Sequence, residues 1–568
     1  MTLASANPSS SRSEGRLLSL ILGLAILVTL APVARLFFEG VTAGGSLNLT
    51  FFSEVLSKPA THSALRHSLV TAGLGTVISV LIGSVFAFLV ALTDLRRKAA
   101  LVFCLMIPMM IPPQITALSW TQMMGPSSVL LKTLGLAPPL GAPQPLYSPG
   151  GIILLLGIQH TSIIFLTLRA GLRAIPQEVV EAARISGARG FRIWWQVVLP
   201  LTLPSLLAGV AITFVTALGN FGIPAMLGIP AGYATLPTLI YQRLAGMGTT
   251  VLAEVAVLAI LIGIVAITGI LIQRFFQRRQ RVHLVGSTGR PLAIPLGRAR
   301  LPVEITLWLV IAGILVLPMM GLLATSLVPA YGVPLRLDTV SLDGWYEALF
   351  RQPSTRRAFV NSFGLSIGAA VVLMALCLPL AWLMDRHQTR LSRAFDSLLD
   401  LPYALPGVVL AIAMILLLIN LPFTDLSLYG TIWIIFLAYL ARFFAVMFRP
   451  VQSSLRQLDP AMNEAAQSVG APLWRRLRDI VLPLSAPAAA AGAILVFLTA
   501  FNELTVSALL WSSGTETLGV VIFNLDDSGE TVMASAVAMT IVFVVMILMA
   551  VIQLTSRRLP KGVVPWQS

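Results

Sequence analysis

The chain has 568 residues, of which 57% are hydrophobic and 11% charged, with a net charge of +15. Soluble domains carry roughly 25% charged residues, so most of this chain is excluded from water. The basic excess could suit nucleic acid, but where the basic residues fall along the chain argues against such a partner.

A bilayer core of about 30 Å takes roughly 20 apolar residues per helical span. Backbone groups in lipid have no water to bond, so each span is expected to be helical. Residues 1–16, whose first part is rich in Ser, Asn and Ala, read as a disordered tail. Apolar runs then fall at 17–38, 66–92, 101–122, 151–170, 203–228 and 251–273. A second set lies at 305–328, 361–384, 402–420, 430–449, 484–510 and 533–555. Residues 12–34 also have the basic, apolar, Ala-Pro-Val-Ala pattern of a signal peptide. A retained first helix is favoured, because an even number of spans keeps the basic loops on one side. With the N-terminus inside, nine of the 38 Lys and Arg fall outside, leaving 29 on cytoplasmic segments. That is the positive-inside rule, and membrane orientation accounts for the charge. Both termini are then cytoplasmic.

The chain is written twice. KPATHSALRHSL from Lys58 aligns with QPSTRRAFVNSF from Gln352, and IPMMIPP from Ile107 with LPYALPG from Leu401, both 294 positions apart. EAARISG from Glu181 aligns with EAAQSVG from Glu464, and TALGNFGIPAML from Thr216 with TAFNELTVSALL from Thr499, both 283 apart. The 11-residue difference falls in the Gly- and Pro-rich loop around 125–150, an insertion. The expected fold is all-α: a polytopic membrane protein of twelve transmembrane helices in two six-helix repeats, 17–273 and 303–556. A cytoplasmic linker at 274–302 joins them, and 557–568 is a cytoplasmic tail. Six spans is an even number, so both halves point the same way and a shared pathway lies between them.

Between the fourth and fifth span of each half lies an unusual segment. Asp459-Pro460 opens a short helix with an N-cap and a first-turn proline, and Gly470 ends it. Pro176 and Gly187 bracket the first copy, where Ile175 supplies no capping side chain. Both pieces are too short to be stable alone and need a partner surface. FRIWWQVVLP and WRRLRDIVLP follow, suited to a membrane interface.

Inside the spans, polar groups are costly and suggest function. Asn220, Asn502, Glu503 and Gln159 are candidates for the pathway lining, and His160 in the fourth span and Gln114 in the third are further polar residues of this kind. The competing reading pairs Glu503 with an arginine such as Arg442 and lets the amides bond between helices. His160 is expected to be a satisfied core residue. Cys104 and Cys377 lie in separate apolar runs and read as inert, and no metal-type spacing occurs. None of the four lysines follows a glycine, so a phosphate-binding Gly-Lys-[Ser/Thr] loop is absent.

The pattern E-A-A-x3-G-x9-[I/V]-x-L-P resembles the cytoplasmic motif of binding-protein-dependent ABC importer permeases. Glu181, Ala182, Ala183 and Gly187 match it, through Val197, Leu199 and Pro200. Glu464, Ala465, Ala466 and Gly470 match it again, through Ile480, Leu482 and Pro483. The resemblance implies that these short helices couple to an ATPase. It implies two copies of an ABC ATP-binding subunit, which carries the ATP and Mg, and no cofactor on this chain. It further implies a periplasmic or lipid-anchored solute-binding protein and a multi-pass place in the bacterial inner membrane. GNFGIPAMLG and FNELTVSALLWSSGTETLGVVIFNLDDSG most resemble the fused permeases of the ferric-iron group, whose relatives carry thiamine, 2-aminoethylphosphonate or, further off, polyamines. An ion-coupled secondary transporter could use Glu503, but it has no use for two docking helices.

Overall fold

The structure is a computed structural model describing residues 8–42, 49–139, 141–188, 191–246, 250–279, 294–420 and 426–555. Among these residues the architecture is helical, and the one bridge is Thr93 with Ile294. Among the described residues, nine helices are long and apolar enough to cross a membrane, or up to twelve if each of three bent pairs counts as one span.

The sequence repeat is a structural repeat. Helices Pro59–Leu92 and Pro353–Arg386 are each 34 residues long. Pro149–Arg173 answers to Ile432–Leu455, and Leu199–Leu218 to Leu482–Phe501. Even the π-helical turns that lead into the last pair, Trp194–Val198 and Leu477–Val481, recur.

Three expectations need correction. The tail assigned to 1–16 is helical from Pro8, in Pro8–Thr29, and Glu14 is buried among basic side chains from far along the chain. Local composition carries no trace of that long-range cluster. The runs 101–122 and 402–420 are not straight spans. Lys98–Met110 meets Pro113–Met123 at 101°, and Arg390–Ala404 meets Gly407–Leu418 at 109°. The residue before a proline is driven out of the α region, and Ile111 and Leu405 are accordingly extended at ψ 131° and 141°. The runs 203–228 and 484–510 also break, after Leu218 and Phe501, so Asn220 and Glu503 sit in the breaks rather than inside helices. At the linker, one helix runs to Arg279 and the next begins at Arg300 after a turn at Gly297–Ala299. Residues 280–293, 1–7 and the tail assigned to 557–568 lie outside the described residues.

Each half leans on the other. The helix Ala31–Thr42 packs on Gly407–Leu418, with Arg35 Nε donating to the Leu416 carbonyl at 3.4 Å. In the mirrored contact, Leu317–Ser326 packs on Pro113–Met123, where a Cβ on Gly321 would lie 2.9 Å from Met123 Cα. Within the first half, Pro59–Leu92 lies along Pro149–Arg173. Small residues permit this approach, as is usual between helices in lipid. A Cβ on Gly83 would meet Ile164 Cβ at 2.8 Å, and Ser79 Oγ donates to the Gly157 carbonyl at 2.7 Å.

At the end away from the Gly187 and Gly470 elbows, burial and the charge of Asp527 push the Asp526 carboxyl up to about 6 from 3.8. The folded state therefore holds this proton more tightly than the unfolded chain does. The resulting stability is full below 3.8 and is lost as pH rises through about 6. The melting temperature of the purified protein should fall between about pH 4 and about pH 6, and Asp526→Asn should flatten that slope. An unchanged slope in the variant would remove Asp526 as its source.

Candidate functional site: twin elbows and a cavity between the halves

The two elbow helices are Gln177–Ile185 and Pro460–Ser468, nine residues each. Asp459 caps the second, its carboxylate accepting from the Ala461 N–H at 2.9 Å, while Pro176 gives the first no side-chain cap. Gly187 and Gly470 sit at φ +85° and +76°. No atom lies within 4 Å of a Cβ built on either, so glycine is needed there for its backbone alone. The turn is closed by Ala188 N–H to the Ala183 carbonyl at 2.9 Å and Ala471 N–H to the Ala466 carbonyl at 3.0 Å.

What the elbows present is uncovered. Glu181, Ala182, Glu464 and Ala465 are exposed, with Ala183 and Ala466 half-buried. Beside them Ile185 is 89% exposed and Val469 82%. Both apolar side chains stand open at the C-terminal end of their short helix.

The second part of the site begins at the two proline breaks. A broken helix in a membrane frees carbonyls that must be satisfied from elsewhere. Gln159 Nε2 donates to the Pro108 carbonyl at 2.7 Å and the Ile111 carbonyl at 3.1 Å, and Thr116 Oγ1 donates to Gln159 Oε1 at 2.8 Å. The repeat places Arg442 where the first half has Gln159, and Arg442 Nη1 donates to the Leu405 carbonyl at 3.3 Å. Ile111 and Leu405 are themselves repeat equivalents, so one interaction is built twice with different side chains.

The fifth-span breaks show the same economy. Asn220 Oδ1 accepts from the Ile223 N–H at 3.1 Å, and Glu503 Oε1, at the equivalent position, accepts from the Val506 N–H at 2.8 Å. Each side chain caps the short helical turn after its break. Asn502 reaches across the halves, its Nδ2 donating to the Met110 carbonyl at 2.6 Å. The Glu503 carboxylate also lies 3.2 Å from Arg442 Nε. The ion pair anticipated as an alternative to a pathway role is present, and both partners line the cavity as well.

That cavity has a volume of 390 Å³ and lies between the halves. Gln159, Asn220, Asn502 and Glu503 line it together with Gln114 and Arg442. Among its described lining residues, Arg442 and Glu503 carry charge, and they cancel. Gln114 is 1% exposed, and its amide finds no hydrogen-bond partner among the described residues. It is wedged between the halves: a Cβ on Gly222 would lie 3.0 Å from Gln114 N, and one on Gly519 3.0 Å from its Nε2. His160 Nδ1 bonds the Leu156 carbonyl at 2.8 Å, as a core histidine does.

The elbows and the cavity are distinct parts of the site; Gln114 was already among the polar residues that the sequence places inside the spans, whereas the carbonyl-bonding role of Gln159 was not evident from composition. The repeated Ile-Pro-Pro and Leu-Pro-Gly were the available signal for the breaks that make both necessary.

Comparisons with known proteins match the two-fold repeat of the chain. The family model described as the binding-protein-dependent transport system inner membrane component matches residues 79–282 and again 377–561. A protein of Sinorhizobium fredii named as an ABC transporter permease is 30% identical over 72% of this chain and 72% of its own length. An Fe(3+)-transport system permease protein of Haemophilus influenzae is 24% identical over 92% of this chain and 95% of its own. A 2-aminoethylphosphonate transport system permease protein of Salmonella typhimurium is 27% identical over 34% of this chain and 73% of its own. The two matched segments each contain one elbow, and the chain belongs to the family of binding-protein-dependent ABC transport system inner membrane components: a multi-pass transport subunit, not an enzyme, working with a separate ATP-binding subunit and a substrate-binding protein.

Proposed function

We propose that this chain forms the whole transmembrane pathway of a ferric-iron importer, each elbow docking one of two ATP-binding subunits. The observation that carries the choice of iron is coverage. Three relatives named for ferric transport align with 87–94% of this chain, whereas those named for 2-aminoethylphosphonate align with 34–40%. In this reading both termini are cytoplasmic, ATP and Mg stay on the partner, and this chain holds no cofactor of its own. A periplasmic or lipid-anchored binding protein delivers the cargo.

The elbows act as joints. Closure of the ATP-binding subunits moves both together, the halves rock, and the cavity exchanges its access from one side of the membrane to the other. Gln114, Asn502 and the Arg442–Glu503 pair are the groups the cargo meets there. A lining whose two charges cancel provides no field to hold a bare trivalent cation, so iron crosses with its coordinating anions.

Proteoliposomes containing this chain, its ATP-binding subunit and the iron-loaded binding protein should accumulate radioactive iron only when ATP is supplied. Uptake of 2-aminoethylphosphonate in place of iron would move the cargo to that second class, which the half-chain relatives support. Uptake driven by a proton gradient without ATP would sink the docking assignment.

A further inference from the structure

The two elbows are seated differently. In the first, Val180 on the elbow helix and Ile193 just beyond it are both buried in the apolar core, at 1% and 9% exposure. The repeat places Asn463 and Arg476 at those positions in the second half. Arg476 is 1% exposed, and its Nη1 donates to Asn463 Oδ1 at 3.2 Å. A buried guanidinium needs a counter-charge, and among the described residues its own half does not place one in contact with it.

The counter-charge comes from the far end of the chain. Glu14, in the helix Pro8–Thr29 and 2% exposed, accepts from Arg476 Nη2 through Oε1. Its Oε2 lies 2.9 Å from His387 Nε2 and 3.6 Å from Arg386 Nε, at the end of the helix Pro353–Arg386. Gln467 of the elbow, with its amide oxygen turned toward these donors, accepts from Arg386 at 2.9 Å and Arg476 at 2.8 Å. Trp382 carries both guanidinium groups at 5.5 Å from its ring centroid. The motif carboxylate Glu464 is within electrostatic reach of Arg386. One carboxylate therefore joins the N-terminal helix, the base of a membrane span, the elbow and the segment that follows it.

We propose that Glu14 is a positioning residue for energy coupling: it locks the second elbow to the span Pro353–Arg386, so that motion of that elbow is passed to the cavity. This rests on the elbows being the docking joints. At these two positions the first elbow is seated by apolar side chains, whereas the second has an ionic seat that transmits displacement without slack. The two ATP-binding subunits are then coupled to the pathway unequally.

The test uses the full chain assembled with its ATP-binding subunit in proteoliposomes, measuring ATP hydrolysis with and without the binding protein. Glu14→Gln should keep basal hydrolysis, but its stimulation by the binding protein should drop about tenfold. Glu14→Gln combined with Arg476→Met removes the orphaned cation together with its partner, so stability should recover, but the link is still absent and stimulation should stay low. A merely structural role would lower protein yield and basal hydrolysis together, and stimulation would return with stability in the double variant. Wild-type stimulation in Glu14→Gln, or a double variant whose stimulation recovers, overturns the inference. Glu464→Arg, measured alongside, separates the two levels: if it abolishes stimulation while Glu14→Gln does not, the docking reading stands and this one falls. If Glu464→Arg also leaves stimulation intact, both fall.

Discussion

Replacing Arg442 with methionine should destabilise the protein by about 3–5 kcal/mol, the cost of leaving a buried carboxylate without its partner. Glu503 is 9% exposed and its other oxygen is committed to the Val506 N–H. The same substitution removes the donor to the Leu405 carbonyl at the proline break, which adds to the loss. A fall in melting temperature of the detergent-purified protein is the measurement, and a melting curve that overlays the wild type would refute the assignment. The repeat supplies its own rescue. Arg442→Gln with Glu503→Asn rebuilds the chemistry of Gln159 and Asn220 at equivalent positions, and should return stability to within about 1 kcal/mol. Transport by that stable double variant then reads out what the charged pair does for cargo.

Reversing both motif carboxylates, Glu181→Arg with Glu464→Arg, should lower ATP-driven uptake by about one to two orders of magnitude while leaving the chain inserted and folded. Both side chains are exposed, and neither supports the core. Glu181 accepts from Gln177 Nε2 one turn earlier, a contact whose loss costs a few tenths of a kcal/mol in an exposed helix. A stability effect is therefore small, and a transport effect must come through a partner surface. Basal ATP hydrolysis should persist, because the nucleotide sites are on another polypeptide. Unchanged uptake, with the ATP-binding subunit still bound, would exclude the elbows as joints.

Much of the molecule was written along the chain. The two-fold repetition, the helical spans and both elbows follow from local features: apolar runs long enough for a bilayer, a proline or Asp-Pro start, a glycine at positive φ, and offsets between copies of 294 before the loop insertion and 283 after it. The pairing of Glu503 with Arg442 was also within reach, because a carboxylate in an apolar setting needs a cation and few were available. The breaks in the third spans were signalled by Pro112-Pro113 and Pro406, but length and hydropathy alone read through them. A proline can be absorbed by a kinked helix or can end one, and neighbouring helices decide which.

Tertiary structure decided the rest. Gln159 and Arg442 have one role because each lies beside a carbonyl freed by a bend on a different helix, a proximity that no spacing within the chain expresses. The cavity exists because two halves, each unable to close it, meet there, with Gln114 caught between Gly222 and Gly519. Glu14 shows the limit most plainly. Local composition placed it in a disordered tail, yet Arg476, separated by 462 positions, binds it in the interior. Patterns along a sequence record which face of a helix is apolar; they do not record which distant charge a buried charge will meet, because that depends on how the helices are arranged once they have assembled.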